Sequence, residues 1–150
     1  YKGVVWQDNH SLFYLGMQDQ FHTFNMFDAQ AWFVRDVIMN KISLPFNEKI
    51  SEDINQWAYK EEKLEDPLQM IDFQTEYTKD LCSMVDYPKI DMELIRKHFY
   101  DWEHHKGEDI LQYRNKSFSS AVTGTSAPLH HTNWLEAMDD SMETFMNTKS

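Results

Sequence analysis

The chain has few of the residues that build phosphate-binding loops, disulfides or nucleic-acid surfaces. It contains four glycines, and none belongs to a Gly-rich loop of the kind that cradles nucleotide phosphates. The single cysteine, Cys82, excludes an internal disulfide and is typical of a reducing compartment. Fourteen basic residues against 25 acidic ones give a net charge of −11, which disfavours nucleic acid as a partner.

Long apolar runs are also missing from the sequence. No stretch of 18 apolar residues exists, and residues 1–20 lack a basic region followed by an apolar one. The sequence therefore predicts neither a membrane span nor a signal peptide, and we expect a cytoplasmic protein with no membrane partner. Hydrophobic residues make up 41% of the chain, which is enough for one domain with a packed core.

The first residues have a β-rich pattern. Residues 1–6 and 12–17 are rich in β-forming side chains and flank a turn-forming cluster at 7–11, which predicts a hairpin. The second of these runs is apolar on both faces, as buried parallel strands are. We therefore expect its neighbouring strands to lie outside this chain.

A polar junction follows this hairpin and leads into the first predicted helix. Its polar side chains are Gln18, Asp19, Gln20, His22, Thr23 and Asn25. From Asn25 to about Asn40 the pattern is that of a largely buried helix, and Asn25 with Asp28 resembles a capping box. A polar cluster between a strand and a helix is typical of a ligand site at the carboxyl end of a strand.

The rest of the chain is predicted to be mostly helical. An amphipathic pattern follows Pro45, and N-caps are predicted at Asp66, ahead of Pro67, and at Asp91. The remaining predicted boundaries are the end of the fourth helix at Gly107, an irregular segment at 108–128 and a fifth helix from Asn133.

Two phrases of the sequence resemble the bacterial flavin-containing monooxygenases: FYLGMQDQ at 13–20 and TFNMFDAQAW at 23–32. The resemblance continues through 101–106 and 123–132, and it corresponds to the C-terminal third of that family. It implies a fragment of an α/β flavoprotein with two dinucleotide-binding domains, whose Gly-rich loops would lie elsewhere in the polypeptide.

The resemblance also implies a division of this fragment and an activity. Residues 1–45 would be the final strand, turn and helix of the FAD-binding domain, and 46–150 a helical region packed on it. Such enzymes reduce FAD with NADPH, trap dioxygen as a flavin hydroperoxide and oxygenate a soft nucleophile. We therefore expect N-oxygenation of small amines such as trimethylamine by the whole polypeptide, as a homodimer, and no activity from the fragment alone.

Six residues receive roles from the resemblance. Gln20 and Thr23 would contact FAD, and Arg114 would bind NADP. The three residues that would border the substrate and the nicotinamide are Asp19, Phe21 and Trp102. Family members often carry tryptophan at position 21 and a second aromatic after it. The Phe21-His22 pair of this chain should widen the pocket and adds an imidazole that can titrate near neutral pH.

Elementary chemistry supports part of this assignment and leaves plainer roles open. A helix N-terminus carries unpaired N–H groups and partial positive charge, which would stabilise the pyrimidine edge of a reduced flavin. Thr23 could instead only cap the helix. The plainer roles of the other residues are a salt bridge for Asp19, core packing for Trp102 and an exposed surface position for Arg114.

A metal site and two alternative functions also have to be considered from the sequence. Adjacent histidines diverge on a helix and no C-x-x-C spacing exists, so we expect no metal site. A related Baeyer–Villiger or N-hydroxylating flavin monooxygenase is one alternative function. A non-catalytic helical assembly module is another, although an unpaired apolar strand argues against independent folding of such a module.

Overall fold

A computed structural model describes residues 1–16 and 21–126 of the chain. These residues are mostly helical, as predicted. The helices are α1 (Thr23–Ile38), α2 (Asn47–Glu61), α3 (Pro67–Met84) and α4 (Met92–Glu108), followed by a short 3-10 helix, Tyr113–Asn115. The chain divides into two compact units, one spanning Tyr1–Pro88 and the other beginning at Lys89. The fifth predicted helix lies outside the described residues, and the division into 1–45 and 46–150 stays a prediction.

The predicted N-terminal hairpin is not confirmed. Val5 and Phe13 form one isolated antiparallel bridge, beside which the Trp6 N–H donates to the Leu12 carbonyl at 3.0 Å. The chain turns ahead of this bridge because Lys2 and Gly3 both have positive φ, 53° and 59°. A left-handed backbone cannot continue a strand, so pairing does not extend along residues 1–6.

The run 12–16 is also more exposed than predicted. Leu12 and Tyr14 are each 40% exposed and Leu15 is 48% exposed, whereas Phe13 packs against the core. The described part of the predicted strand is therefore not buried on both faces within this chain. Its apolar side chains leave a hydrophobic surface on the first unit.

Helix α1 begins two residues before the predicted start. Asn25 therefore lies inside the first turn, and the predicted capping box with Asp28 is wrong. The Asp28 carboxylate instead accepts a hydrogen bond from the Tyr87 hydroxyl at 2.7 Å. At the other end, Asn40 has a positive φ of 56°, which ends the helix just before the predicted boundary.

The core of the first unit lies between α1 and α3. Its buried members are Val4, Val5, Met26, Ala29, Phe33, Tyr77 and Leu81. Two ion pairs tie the N-terminal segment to α2 and α3. Lys2 Nζ lies 2.7 Å from Asp53 Oδ1 and 2.9 Å from Asp80 Oδ2. These contacts hold the start of the chain against α2 and α3.

The later helix starts follow their predicted caps. The Asp66 carboxylate accepts from the Gln69 N–H at 2.8 Å, and Pro67 is the first helical residue of α3. The Asp91 carboxylate accepts from the Leu94 N–H at 2.9 Å at the start of α4. In α2, Ile50 is fully buried and Ile54 and Trp57 are half-buried, whereas most charged residues of the helix are exposed, which agrees with the amphipathic pattern.

The predicted glycine end of α4 is wrong. Gly107 lies inside the helix, which continues to Glu108. Asp109 ends it, because its carboxylate accepts from the N–H groups of Leu111 and Gln112 at 2.9 and 3.2 Å and turns the chain. The following residues to 126 are irregular apart from the 3-10 helix and one bridge between Ser119 and Ser126, as predicted. Of the helices described above, none has both the length and the apolar character needed to cross a bilayer.

Candidate functional site

The structure describes four of the six predicted site residues. Phe21 and Thr23 lie together at the start of α1, in the first unit. Trp102 on α4 and Arg114 in the 3-10 helix belong to the second unit. Asp19 and Gln20 lie outside the described residues, so their roles stay predictions.

The start of α1 lacks the local caps found on α3 and α4. His22 occupies the N-cap position but makes no capping hydrogen bond through its side chain, and the first turn holds no acidic residue. Thr23 is the first helical residue and not the cap, so the plainer role of N-cap does not apply to it. The partial positive charge of this helix end is therefore not neutralised by its own first turn.

A glutamine from another helix holds the peptide that leads into α1. Gln74 on α3 is buried, and its Oε1 accepts hydrogen bonds from the backbone N–H of Phe21 at 2.7 Å and of His22 at 3.2 Å. A neutral carboxamide thus satisfies two backbone donors at the entry of α1. It does so without adding negative charge there.

The His22 side chain is buried beneath this entry. Its Nε2 lies 3.0 Å from the Thr75 hydroxyl, which donates its single hydrogen to the Ile71 carbonyl at 2.7 Å. Nε2 must therefore be the donor to Thr75, which fixes the imidazole tautomer. Burial lowers the pKa of His22 from 6.5 to about 4. The expectation that this imidazole titrates near neutral pH is therefore wrong, because the buried ring is neutral at pH 7.

A second buried glutamine holds the chain on the other side of residues 17–20. Gln30 Oε1 accepts from the Gly16 N–H at 2.9 Å, and its Nε2 donates to the Tyr77 hydroxyl at 3.0 Å. The Tyr77 hydroxyl donates in turn to the Lys2 carbonyl at 2.6 Å, and burial raises the pKa of Tyr77 so that it keeps this proton. The orientation of the Gln30 amide is thereby determined at both ends.

Gly16 is required by two features of this junction. Its φ is +73°, in the left-handed region that side chains disfavour. A Cβ at this position would lie 2.9 Å from the ring of Phe27 on α1. The backbone at Gly16 therefore lies closer to α1 than any other residue type would allow.

Sequence reasoning missed both glutamines. The signal that could have found them is a polar residue on an apolar helical stripe: Gln30 follows Ala29 and precedes Phe33, and Gln74 follows Ile71. A buried amide is costly unless it is hydrogen-bonded, so such a residue indicates a partner elsewhere in the fold. The pattern does not identify that partner.

Trp102 and Arg114 share a contact with one buried tyrosine in the second unit. The Trp102 and Tyr113 rings meet edge to face with centroids 5.2 Å apart, and the Lys106 ammonium lies 5.1 Å from the Trp102 ring centroid. The guanidinium carbon of Arg114, on an exposed side chain, lies 5.0 Å from the Tyr113 ring centroid. The tyrosine thus orders a tryptophan and an arginine in one aromatic and cationic cluster.

Metal-ligand geometry is not found within 1–16 and 21–126. No three histidine, cysteine or acidic side chains there come together as ligands. His104 and His105 instead each lie 3.3 Å from the Glu108 carboxylate. Burial, with the nearby Asp28 carboxylate, raises the pKa of Cys82 to about 11 and keeps the thiol protonated and unreactive.

No protein-family model matches the chain. It is 73% identical over 149 residues to the trimethylamine monooxygenase of Pelagibacter sp. (strain HTCC7211), covering 99% of this chain and 34% of that protein. The corresponding enzyme of Pelagibacter ubique (strain HTCC1002) is 69% identical over 147 residues, with 98% and 33% covered. That of Methylocella silvestris is 53% identical over 147 residues, with the same coverage.

A solved structure gives the same result for the fold. The crystal structure of Tmm from Pelagibacter sp. strain HTCC7211 matches with a TM-score of 0.85 and 74% identity, covering 97% of this chain and 33% of that one. The chain spans about a third of the length of the relatives it matches. By sequence and by fold it is similar to a C-terminal third of trimethylamine monooxygenases.

Proposed function

We propose that this chain is the C-terminal part of an FAD- and NADPH-dependent monooxygenase that converts trimethylamine and similar small amines to N-oxides. The observation that carries the proposal is 73% identity along 99% of the chain to a trimethylamine monooxygenase. The relatives' additional length would hold the two dinucleotide-binding motifs that this chain lacks. The partners are then the rest of the same polypeptide, the amine and dioxygen.

The exposed apolar side chains of the first unit support its place in a larger polypeptide. They include Trp6, Leu12, Tyr14, Leu15 and Phe24, of which Phe24 is 84% exposed. The Trp6 and Tyr14 rings meet with centroids 6.0 Å apart, and exposed apolar contacts of this kind are typical of a surface that another protein segment covers. We propose that the remaining α/β part of the flavoprotein packs here.

The start of α1 fits the electron-rich edge of a flavin. Its first turn carries no acidic residue, and the peptide that leads into it is held by the neutral carboxamide of Gln74. A helix end of this charge attracts a group that becomes negative on reduction. Thr23, with Gln20 as predicted, would hold the pyrimidine edge of FAD. When bound, the flavin would supply the redox chemistry that activates dioxygen.

The chain's other predicted residues would serve the amine and the nicotinamide. Phe21 adjoins Thr23 and would wall the substrate pocket, together with Asp19. Trp102, ordered by Tyr113, offers an aromatic face that attracts an amine cation by roughly 0.5–2 kcal/mol. Arg114 is exposed and would hold an NADP phosphate.

The test uses the full-length polypeptide that contains this chain. We expect bound FAD in its absorption spectrum, and NADPH oxidation that accelerates with trimethylamine and yields the N-oxide. Oxygenation of ketones would indicate a Baeyer–Villiger enzyme, and that of primary amines an N-hydroxylating one. A purified polypeptide without flavin would favour the assembly module. Gel filtration with light scattering would test the proposed homodimer, and cell fractionation the proposed cytoplasmic location.

One substitution tests the assignment of Thr23. Thr23→Val removes the hydroxyl at nearly constant volume, and we expect weaker FAD retention by about tenfold, the effect of one lost hydrogen bond to a charged edge. Thr23→Ser keeps the hydroxyl and is the matched control. Equal FAD affinity in the valine and serine variants would remove Thr23 from the flavin site.

A further inference from the structure

Two buried glutamines from different helices hold the backbone on either side of residues 17–20. Gln30 accepts from Gly16 and Gln74 accepts from Phe21 and His22, at distances of 2.7 to 3.2 Å. Their side chains are 0% and 1% exposed. Polar groups buried to this extent indicate a specific requirement, because an apolar residue would pack at lower cost.

The position of these bonds distinguishes positioning from helix capping. Asp66 caps α3 by accepting from the N–H of Gln69 in the first turn, whereas Gln74 accepts from Phe21 and His22, which precede the first turn of α1. Gln74 lies on α3, 52 or more residues away. A contact from a separate helix fixes where the start of α1 lies relative to the core, which a local cap does not do.

The charge at this helix end also supports a positioning role. A local carboxylate cap would compete with an electron-rich ligand for the backbone N–H groups of the first turn, and would repel that ligand. The Gln74 amide accepts from Phe21 and His22 without adding charge, and the first turn of α1 contains no acid. The positive end of α1 is therefore held in place and kept positive at the same time.

We propose that Gln74, assisted by Gln30, is a positioning residue for the flavin site. It fixes the peptide that enters α1 and so sets the direction of the helix end and of Thr23 toward the cofactor. This inference rests on the proposed function. Gln74 itself acts through the backbone of Phe21 and His22 and is assigned no contact with FAD.

The decisive variants are Gln74→Met and Gln74→Glu in the full-length polypeptide. Methionine keeps the shape and removes the acceptor. We expect FAD affinity to fall by about tenfold or more, as for a lost buried acceptor. Glutamate restores an acceptor for both N–H groups and should recover affinity for oxidised FAD. Its added negative charge should make the bound flavin harder to reduce, which shifts the midpoint potential to a more negative value.

Thr78→Val is the matched control. Thr78 is buried on the same helix, and its hydroxyl donates to the Gln74 backbone carbonyl at 2.8 Å. We expect it to lower the apparent Tm of the cofactor-free protein while the FAD dissociation constant and the midpoint potential stay within about twofold of wild type.

The outcomes separate this inference from the proposed function. Wild-type polypeptide that binds no FAD would overturn the proposed function. Wild-type binding that is unchanged in Gln74→Met, with a Tm loss like that of Thr78→Val, would overturn the positioning role alone. If Gln74→Met does not fold, Gln74→Asn retracts the same acceptor and decides between these results. Hydrogen exchange at the Phe21 and His22 amides should accelerate in either variant. It reports on the two hydrogen bonds to Gln74 in the cofactor-free protein.

Discussion

The start of α1 is held differently from the starts of α3 and α4. In α3 and α4 an aspartate immediately before the helix accepts from a backbone N–H three residues later. In α1 the side chain of the N-cap residue makes no such bond, and Gln74 of α3 accepts from the two residues that precede the helix. A local cap stabilises a helix wherever it lies, whereas a contact from another helix fixes its place.

This difference coincides with the proposed site. The two aspartate-capped starts carry negative charge, and the start of α1 carries none in its first turn. A helix end reserved for an electron-rich ligand must keep its donors and its positive potential. We infer that the contact from Gln74 is part of how the chain prepares that end for a cofactor.

The largest expected effect comes from Gly16, whose backbone lies against the Phe27 ring. Gly16→Ala places a Cβ 2.9 Å from the Phe27 ring in a backbone with φ +73°. We expect a loss of about 3 kcal/mol, from left-handed strain together with overpacking. The measurement is the apparent Tm of the full-length polypeptide and its FAD content.

Gly124 provides a matched control for that substitution. It has the same φ of +73°, but a Cβ there meets nothing within 4 Å. Gly124→Ala should therefore show the strain alone, about 1 kcal/mol. Equal losses at the two glycines would mean that the close approach to Phe27 contributes nothing.

The next largest effect is pH-dependent and comes from His22. The unfolded chain takes up a proton near pH 6.5, whereas the folded chain holds His22 neutral down to about pH 4. Because the unfolded state binds more protons in this window, stability falls as the pH falls from 6.5 to 4. One pKa unit corresponds to about 1.4 kcal/mol, so the loss is at most about 3 kcal/mol.

His22→Asn removes the titrating group and keeps a side-chain donor for Thr75. Apparent Tm values of the wild type and the variant, measured between pH 7 and pH 4, should diverge steadily toward acid. The wild type should lose more stability. Parallel curves would show that His22 is not buried in its neutral form in the full-length protein.

The helix caps and buried faces show which parts of the structure can be predicted from sequence. Caps at Asp66 and Asp91 are recognisable because the donor lies three residues from the acceptor. Helical spacing places Leu68, Ile71, Tyr77 and Leu81 on one apolar stripe of α3, and of these all but Leu68, which is 43% exposed, are buried. Local patterns therefore predicted the helices and most of their buried faces.

The remaining features depend on contacts between distant segments. Gln74 meets Phe21 across 53 residues, and no local pattern relates the two positions. The apolar residues at 12–15 predicted burial, but apolarity alone does not show whether the covering surface belongs to the same segment. The end of α4 was predicted at Gly107 because glycine often ends helices, and the Asp109 side chain decides it instead.

The smallest expected effect comes from Asp66 and sharpens the comparison between the cap of α3 and the Gln74 contact at the start of α1. Asp66→Ala removes the local cap of α3 and should cost about 1 kcal/mol, with Asp66→Asn as the control that keeps an acceptor. Because this cap serves only its own helix, FAD affinity should stay at the wild-type value while the apparent Tm falls. Gln74→Met should instead change both. An Asp66→Ala variant that lost flavin as readily as Gln74→Met would show that any weakened helix start disturbs the site. The distinction between the local cap of α3 and the Gln74 contact at α1 would then carry no functional meaning.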